Sequence, residues 1–339
     1  MDAKITKKRL SRMLSYDWVK MVVIAAAIII LWTLIFTMTA TRITPAQQYT
    51  VFNYDGNLSF RFTKFEDAYD EAYEKGIFSH EVLENTKFDM TTAGSDIHTV
   101  MDARMQTDEG DAIFVSKQWD PDTGVEQEDG TVKYEYTYLQ TFIARYSYYL
   151  YDINDYLAYM ETYLNGYYKN AQGNPDYRNG VLDVEKVEAD FREREKGDKR
   201  FKTEKQKKAG VLKDIERIEK YRAALIQFNE YVDQGVIALE YTTIKAKDEN
   251  GEEVVILDNK AYSINLCPTE ATSGLKDYVA YIKTEKDEEG ADVRVETAAN
   301  MQLCLFDLSG VNKNFLGENL IFINQVVEWS LEASLDENK

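Results

Sequence analysis

The sequence predicts an α/β protein in which a single N-terminal transmembrane helix precedes a mostly helical α/β domain. Three observations support this class. Residues 21–40 form an unbroken apolar run, short apolar stretches typical of buried strands occur near both ends of the remaining chain, and helical periodicity fills the part between them. With 339 residues, of which 44% are hydrophobic and 13% aromatic, the chain has enough apolar side chains for a substantial core.

The apolar run at residues 21–40 has the length of a membrane-spanning helix. Its residues carry no charge, and at about 1.5 Å per residue a helix of that length covers the roughly 30 Å of hydrocarbon. Residues 1–40 contain six Lys and Arg residues against two acidic ones, which predicts a cytoplasmic basic segment at 1–20 and an extracytoplasmic domain after the helix. A cleavable signal peptide is the alternative, but the run is long for one and "TMTATR" is a poor cleavage site.

The net charge argues against several classes of function. The chain carries −19, and because residues 1–40 carry +4, the remainder carries −23. Such a polyanion repels phosphate backbones, so nucleic acid is not an expected partner. The two histidines, His80 and His98, lack partners at metal-ligand spacing. The sequence therefore predicts no metal, no other cofactor and no catalytic residues. An anchored enzyme is therefore the least supported class.

The two cysteines, Cys267 and Cys304, both stand in apolar stretches without CxxC spacing. Their surroundings favour two buried thiols that act as small hydrophobic side chains. A disulfide is the alternative, because the domain is expected to face an oxidising compartment.

The outer domain begins with a predicted stalk and first extended segment at residues 41–57, and residues 58–339 are predicted to form the α/β domain. A helix pattern at 65–75 stops at Gly76, in a position that suits a helix C-terminus.

A strand, a helix and a second strand are predicted next. The first strand lies around residues 87–92, and the helix begins after Ser95 or Asp96 as N-cap and ends before Gly110. The continuous apolar run Ala112–Ser116 then predicts a strand buried on both faces. A crossover of this kind normally makes the two strands parallel neighbours.

Residues 134–235 are predicted to be a helical insertion. Residues 134–168 hold twelve of the 24 tyrosines, and their apolar residues recur at three- and four-residue spacing. This pattern predicts one long amphipathic helix, or two with a bend near residues 152–155. A weaker helix pattern follows at 181–195, and a well-marked one at 211–232 ends at Gly235.

The last hundred residues return to alternating elements. A hairpin with Asn250 and Gly251 in its turn is predicted first. Residues 261–266 and 301–308 have the composition of buried strands, residues 273–282 are predicted as a helix between them, and residues 315–334 as a terminal helix.

The stretch "FDMTTAGSDIHTVMDARMQTDEGDAIFVS", residues 88–116, resembles the first βαβ unit of extracytoplasmic solute-binding proteins of the type II periplasmic-binding class. The family's Gly-Asp-x-Pro-Asp turn is represented here by Glu109-Gly110-Asp111, without the proline. The resemblance implies a lobe beside a ligand cleft, to which the chain later returns.

The function implied by this resemblance is non-catalytic. The expected protein is membrane-anchored and binds a sugar, peptide or amino acid. Alternatively, it assists a transporter, with an ABC-type permease as its partner. The alternative is a structural or assembly protein of the cell envelope that binds protein partners through its amphipathic helices.

Candidate ligand-binding residues follow from the rule that ligands of open α/β sheets bind beyond the carboxyl ends of strands. The loop after the 112–116 strand and the turn before the preceding helix meet this rule. Tyrosines beside the apolar stripe of the Tyr-rich segment could stack on a ligand. The predicted set is Ser95, Asp96, Trp119, Asp120, Asp122, Tyr148 and Tyr151. Helix capping, a solvated acidic turn and coverage of the core are the competing roles of these residues.

Residues 199–208 carry a local excess of basic side chains within the acidic domain. The run could contact anionic lipid headgroups, cell-wall polymers or an acidic partner. A solvated start of the following helix is the competing interpretation.

Overall fold

The computed structural model describes residues 7–39, 49–54, 59–78, 86–91, 97–107, 110–120, 123–127, 131–247, 252–286, 291–308 and 316–337. The chain forms two compact units, Met1–Thr44 and Pro45–Lys339. The helices are α1 (Lys7–Thr39), α2 (Phe65–Glu74), α3 (Ile97–Gln106), α4 (Tyr138–Tyr146), α5 (Ile153–Asn165), α6 (Val184–Arg194), α7 (Glu204–Asp233) and α8 (Glu318–Glu337). The strands are β1 (Tyr49–Tyr54), β2 (Ser59–Phe62), β3 (Thr86–Thr91), β4 (Ala112–Ser116), β5 (Gly124–Glu126), β6 (Val132–Tyr134), β7 (Tyr168–Lys169), β8 (Val181–Leu182), β9 (Ala238–Lys247), β10 (Glu253–Asn265), β11 (Val279–Lys286), β12 (Asp292–Thr297) and β13 (Met301–Leu305).

The first unit contains α1, whose 33 residues include a long apolar stretch. The window Trp18–Ile35 is long and apolar enough to cross a membrane, and none of it is buried. The predicted span at residues 21–40 overlaps this window, and residue 40 lies outside the described residues. The structure thus provides one helix suited to a membrane, in the place where the sequence predicts it.

The second unit is built on a six-stranded mixed sheet with the order β3-β1-β4-β13-β10-β9. Strands β3 and β4 both run parallel to β1, whereas β13 runs antiparallel to β4 and to β10, and β9 antiparallel to β10. Helices and strands alternate around this sheet, which confirms the mixed α/β class.

The predicted pairing of the first two strands is wrong in one respect. Strands β3 and β4 are parallel, but β1 lies between them and pairs with both. All six residues of β1 are buried, so an interior position is the one in which both of its hydrogen-bonding edges are satisfied. The crossover through α3 therefore passes over one strand.

Strand β4 is buried on both faces, as its composition predicts. All five of its residues are buried, and because successive side chains point to opposite faces, they separate two cores. Core 1 contains Ala112, Phe114 and the buried faces of α2, α5, α7 and α8. Core 2 contains Ile113, Val115 and the buried faces of α3 and α4. Helices thus cover both sides of the sheet.

The Tyr-rich segment forms two helices, α4 and α5, so the second of the two predicted arrangements is confirmed. A 3₁₀ segment, Ser147–Tyr149, interrupts the segment, and Asp152 caps α5 by accepting a hydrogen bond from Asn154 N at 3.0 Å. Tyr138, Tyr146 and Tyr156 are buried. Many of these tyrosine rings therefore form the core.

Helices α2 and α7 end at the two glycines where the sequence predicts their C-termini. Gly76 and Gly235 follow α2 and α7 with φ values of +68° and +70°, the left-handed conformation that glycine adopts without strain. The hairpin β9–β10 and the terminal helix α8 are also confirmed, although the hairpin turn at residues 248–251 lies outside the described residues.

The predicted helix at residues 273–282 is wrong. Glu270–Asp277 forms a 3₁₀ segment, and Val279–Lys286 is the strand β11, which joins β2 and β12 in a three-stranded sheet. Gly274 lies against α8, where a Cβ atom would come within 2.4 Å of Ser330 O, and Val279 pairs with Phe62. Packing against α8 and pairing with β2 therefore override the helical pattern.

Both cysteines are described, and each is buried and free. Cys304 lies on β13 within core 2, and Cys267 follows β10 in core 1. Burial raises the pKa of both thiols. The interpretation as small hydrophobic side chains is confirmed, and the disulfide alternative is not.

We predict that Phe114→Ala destabilises the second unit by about 3–5 kcal/mol, because Phe114 is fully buried and packs edge-on against Phe62 and Phe65. Val125→Ala, in the exposed strand β5, is the control and should change stability by less than about 0.5 kcal/mol. Urea unfolding of the full chain in detergent measures both. Equal effects of the two substitutions would contradict the central position of β4.

Candidate functional site

The edge of the sheet beyond Ser116, at the carboxyl end of β4, is where the sequence predicts a ligand. Trp119 follows the strand with 57% of its surface exposed, whereas Asp120 is only 4% exposed. Ser95, Asp96 and Asp122 lie outside the described residues. Of the predicted loop residues that are described, Trp119 is thus the accessible one.

Asp120 joins the loop to the start of α4. Its backbone N–H donates to Tyr136 O at 2.9 Å, and its carboxylate accepts a hydrogen bond from Thr141 Oγ1 at 2.9 Å. Tyr138 N donates to Gln118 O at 2.9 Å, which completes the connection. The carboxylate predicted to meet a ligand is therefore used in the interior of the protein.

Tyr148 and Tyr151 lie at the opposite edge of the sheet. Tyr151 N donates to Leu305 O at 3.0 Å, and Leu305 pairs with Ala112, the first residue of β4. The five residues of β4 cover about 13 Å. Tyr148 is 89% exposed, whereas Tyr151 is half-buried against core 1. The structure does not bring these tyrosines together with Trp119.

A network of uncharged polar side chains lies at the carboxyl end of β4. Gln118 Nε2 donates to the Tyr281 hydroxyl at 3.1 Å, and this hydroxyl donates to Ala299 O at 2.7 Å. Ser116 Oγ accepts from Gln118 N at 3.0 Å. Burial raises the pKa of Tyr281, so its hydroxyl stays protonated and can donate at neutral pH.

A second set of hydrogen bonds begins at Asn300, the residue after Ala299, and lies on β10 and β13. Ser263 Oγ donates to Gln302 Oε1 at 3.0 Å, and Gln302 Nε2 donates to Asn300 O at 3.1 Å. Asn265 Nδ2 donates to Asn300 Oδ1 at 3.1 Å. We call the residues Ser116, Gln118, Ser263, Asn265, Tyr281, Asn300 and Gln302 the sheet-edge network.

None of the residues of the sheet-edge network is in the predicted set of ligand-binding residues, although the sequence contains a signal for two of them. Ser263 and Gln302 are polar residues inside strands that otherwise read as buried, and both are fully buried. Because buried polar groups need hydrogen-bonding partners, two such residues on separate strands indicate a shared network.

The chemistry available at this edge is that of hydrogen bonding. Amide and hydroxyl groups both donate and accept, so they suit uncharged polar groups such as hydroxyls and peptide amides. Among the described residues, no group of three or more His, Cys, Asp and Glu side chains is placed to hold a metal ion.

Asp111 lies at the other end of β4. Its carboxylate Oδ2 accepts from Thr50 N at 2.6 Å, and its own N–H donates to Thr50 O at 2.8 Å, which ties β4 to β1. Burial raises the pKa of Asp111 to about 7, against the smaller opposite effect of the hydrogen bond from Thr50. Asp111 therefore carries a carboxyl group that titrates near neutral pH.

Comparisons with family models, curated proteins and solved structures find no match to this chain. The described part of the chain is a mixed α/β protein, and its N-terminal helix α1 is long and apolar enough to span a membrane.

We predict that Asp111→Asn removes a pH dependence of stability. A carboxyl group whose pKa is raised from 3.8 to about 7 binds its proton more tightly in the folded state, so wild-type stability falls as pH rises through this window. The variant should be more stable than wild type at pH 8, by about 1 kcal/mol or more, and this advantage should disappear near pH 4.

Chemical denaturation of the full chain across this pH range measures the effect. Asp70→Asn, which removes an exposed carboxylate on α2, is the matched control and should keep the wild-type pH dependence. A variant Asp111→Asn that keeps it as well would contradict the assignment.

Proposed function

We propose that this chain is a membrane-anchored, non-catalytic extracytoplasmic binding protein related to the type II solute-binding fold. It captures a polar ligand such as a sugar, peptide or amino acid, or assists an ABC-type transporter permease. The main support is the carboxyl end of β4, because the exposed ring of Trp119 follows Gln118 there, and Gln118 and Asn300 are the members of the sheet-edge network that reach the surface.

The topology of the sheet also supports the proposed relationship. The parallel strands β3, β1 and β4 come from the first part of the chain, and the last strand, β13, returns to pair with β4. The type II resemblance implies such a return of the chain to its first lobe. The chain between β4 and β13 supplies α5 and α7, which contribute to core 1.

The anchored arrangement rests on α1 and on the distribution of charge. Lys and Arg residues before the apolar window favour a cytoplasmic N-terminus, and the acidic second unit then lies outside. An anchor of this kind keeps a binding domain near a transporter in the same membrane.

A second function, assembly with protein partners in the cell envelope, is favoured by a specific observation. Val254, Val255 and Ile256 are consecutive exposed apolar residues on β10, in the part of the β9–β10 hairpin that extends past the pairing of β10 with β13. Exposed apolar side chains that lie together are typical of partner-binding surfaces. This surface lies on strands, whereas the sequence-based alternative places partner binding on amphipathic helices.

We predict that Trp119→Ala weakens ligand binding about tenfold, because it removes a stacking surface beside the sheet-edge network. Thermal-shift screening of the full chain in detergent against sugars, peptides and amino acids identifies the ligand, since a ligand that binds only the folded state raises the melting temperature. Titration of wild type and variant with that ligand then measures the effect.

Tyr148→Ala is the matched control, because it removes an aromatic ring that is even more exposed than Trp119 and lies at the opposite edge of the sheet. It should leave ligand affinity unchanged. If Tyr148→Ala weakened binding more than Trp119→Ala, the ligand would lie at the edge of the sheet near Tyr148, which contradicts the proposal. If no compound in a broad screen raised the melting temperature, ligand capture would be refuted.

We predict that an engineered cysteine in place of Tyr148 reacts with a membrane-impermeant maleimide on intact cells, whereas one in place of Ser11 reacts only after permeabilisation. Tyr148 is exposed in the second unit, and Ser11 is exposed in α1 ahead of the apolar window. The wild-type chain, whose two cysteines are buried, gives the background. Labelling with the reverse pattern would overturn the proposed orientation.

A further inference from the structure

The segment at residues 196–208, which runs from the end of α6 into the start of α7, is the most basic part of the second unit. It holds seven Lys and Arg residues and two acidic ones, in a chain whose net charge is −19. A concentration of positive charge against this background produces a local positive potential that the rest of the domain does not share. The sheet-edge network includes no residue of this segment.

A pocket of about 360 Å³ lies in this segment. It is formed by the end of α6, the 3₁₀ segment Lys199–Phe201 and the start of α7. Five cationic side chains line it: Arg192, Lys196, Lys199, Lys202 and Lys207. We call this site the basic pocket.

Two packed aromatic rings, Phe191 and Phe201, form one side of the basic pocket. Phe191 and Phe201 pack edge to face with their centroids 5.0 Å apart. Gly210 of α7 permits this arrangement, because a Cβ atom there would lie 2.2 Å from Phe191 Cζ. Phe191 is buried, whereas Phe201 is half-buried and keeps part of its ring accessible.

The acidic groups of the pocket are already neutralised by arginines. Asp198 accepts hydrogen bonds from the backbone N–H and the guanidinium of Arg200, at 2.7 and 2.8 Å, and these contacts lower its pKa. Glu195 accepts from Arg194 Nε at 3.0 Å. Neither carboxylate is therefore available to balance the lysines.

Lys199 and Lys202 are the pocket cations that form no ion pair with a described residue. Both are exposed, and within the described part of the chain no carboxylate lies at ion-pair distance from either. Arg192, in contrast, pairs with Glu188 at 2.8 Å and with Glu204 at 3.0 Å. Two uncompensated ammonium groups three residues apart thus border one concave space.

We propose that the basic pocket binds a small phosphate-bearing ligand through Lys199 and Lys202. An ammonium group holds a phosphate as a point charge with three donors, and two of them match the double charge of a phosphomonoester. The pocket is larger than one phosphate requires, so the ligand carries an organic part such as a polyol or sugar, which lies against Phe201.

Calorimetric titration of the full chain in uncharged detergent tests this site with glycerol phosphate and with inorganic phosphate. We expect wild type to bind both, and Lys199→Gln/Lys202→Gln to bind at least about tenfold more weakly, because each lost contact involves a charged group. Lys199→Arg/Lys202→Arg keeps the charges and should retain most of the affinity.

The matched control is Lys205→Gln/Lys208→Gln, which removes the same charge from the same segment at exposed positions that do not line the pocket. It should bind like wild type. An equal loss of affinity in this control would show that general positive charge, and not the pocket, is responsible.

Three further outcomes would overturn the proposal. The first is that wild type gives no heat of binding with millimolar glycerol phosphate. The second is that acetate at matched ionic strength binds as tightly as glycerol phosphate. The third is that the protein attaches to phosphatidylglycerol vesicles and that glycerol phosphate does not compete this attachment away. The last would assign the lysines to a lipid surface. The sheet-edge proposal stands or falls separately, because Trp119→Ala should leave this titration unchanged.

Discussion

The burial of strand β4 on both faces is the constraint on which the rest of the second unit depends. Five consecutive buried residues require apolar partners above and below the sheet, and their alternation assigns Phe114 to core 1 and Ile113 to core 2. Strand β13 repeats the division beside it, with Leu303 in core 1 and Cys304 in core 2. The helices occupy the positions that these two strands require, α3 and α4 on one face and α2, α5, α7 and α8 on the other.

The same constraint shapes the chemistry at the two ends of β4. Polar groups that lie beside a doubly covered strand have little access to water, so they must bond to one another or change their protonation. The carboxyl end satisfies them with amides and hydroxyls in the sheet-edge network. The amino end carries a carboxyl group, and there burial raises the pKa of Asp111.

The elements that depend on local pattern could be predicted from the sequence. Strand β4 is predicted at its observed bounds because its apolar run is bordered by Gly110 and polar residues. The end of helix α7 is predicted by Gly235, whereas its start at Glu204 lies ahead of the predicted pattern at 211–232, although the capping box of Thr203 and Gln206 is visible in the sequence. Features that depend on distant pairing were not predictable in this way. Nothing near β3 or β4 shows that β1 separates them, and the apolar spacing of residues 273–282 favours a helix until β2 is available as a partner. For the same reason the sheet-edge network, whose residues come from four separate segments of the chain, cannot be predicted from local pattern; the predicted set contains its neighbour Trp119 but none of its members.

The late position of β13 in the chain has a consequence for folding. Until residues 301–305 are synthesised, β4 has a neighbour on one side only, and its other edge presents unpaired backbone groups. Core 1 is likewise incomplete without α8, the last helix. The six-stranded sheet and core 1 therefore close only after these residues have been synthesised, in a step that needs slow, non-local strand pairing. An open β4 edge in the nascent chain is the place where wrong strand pairing with another chain would begin.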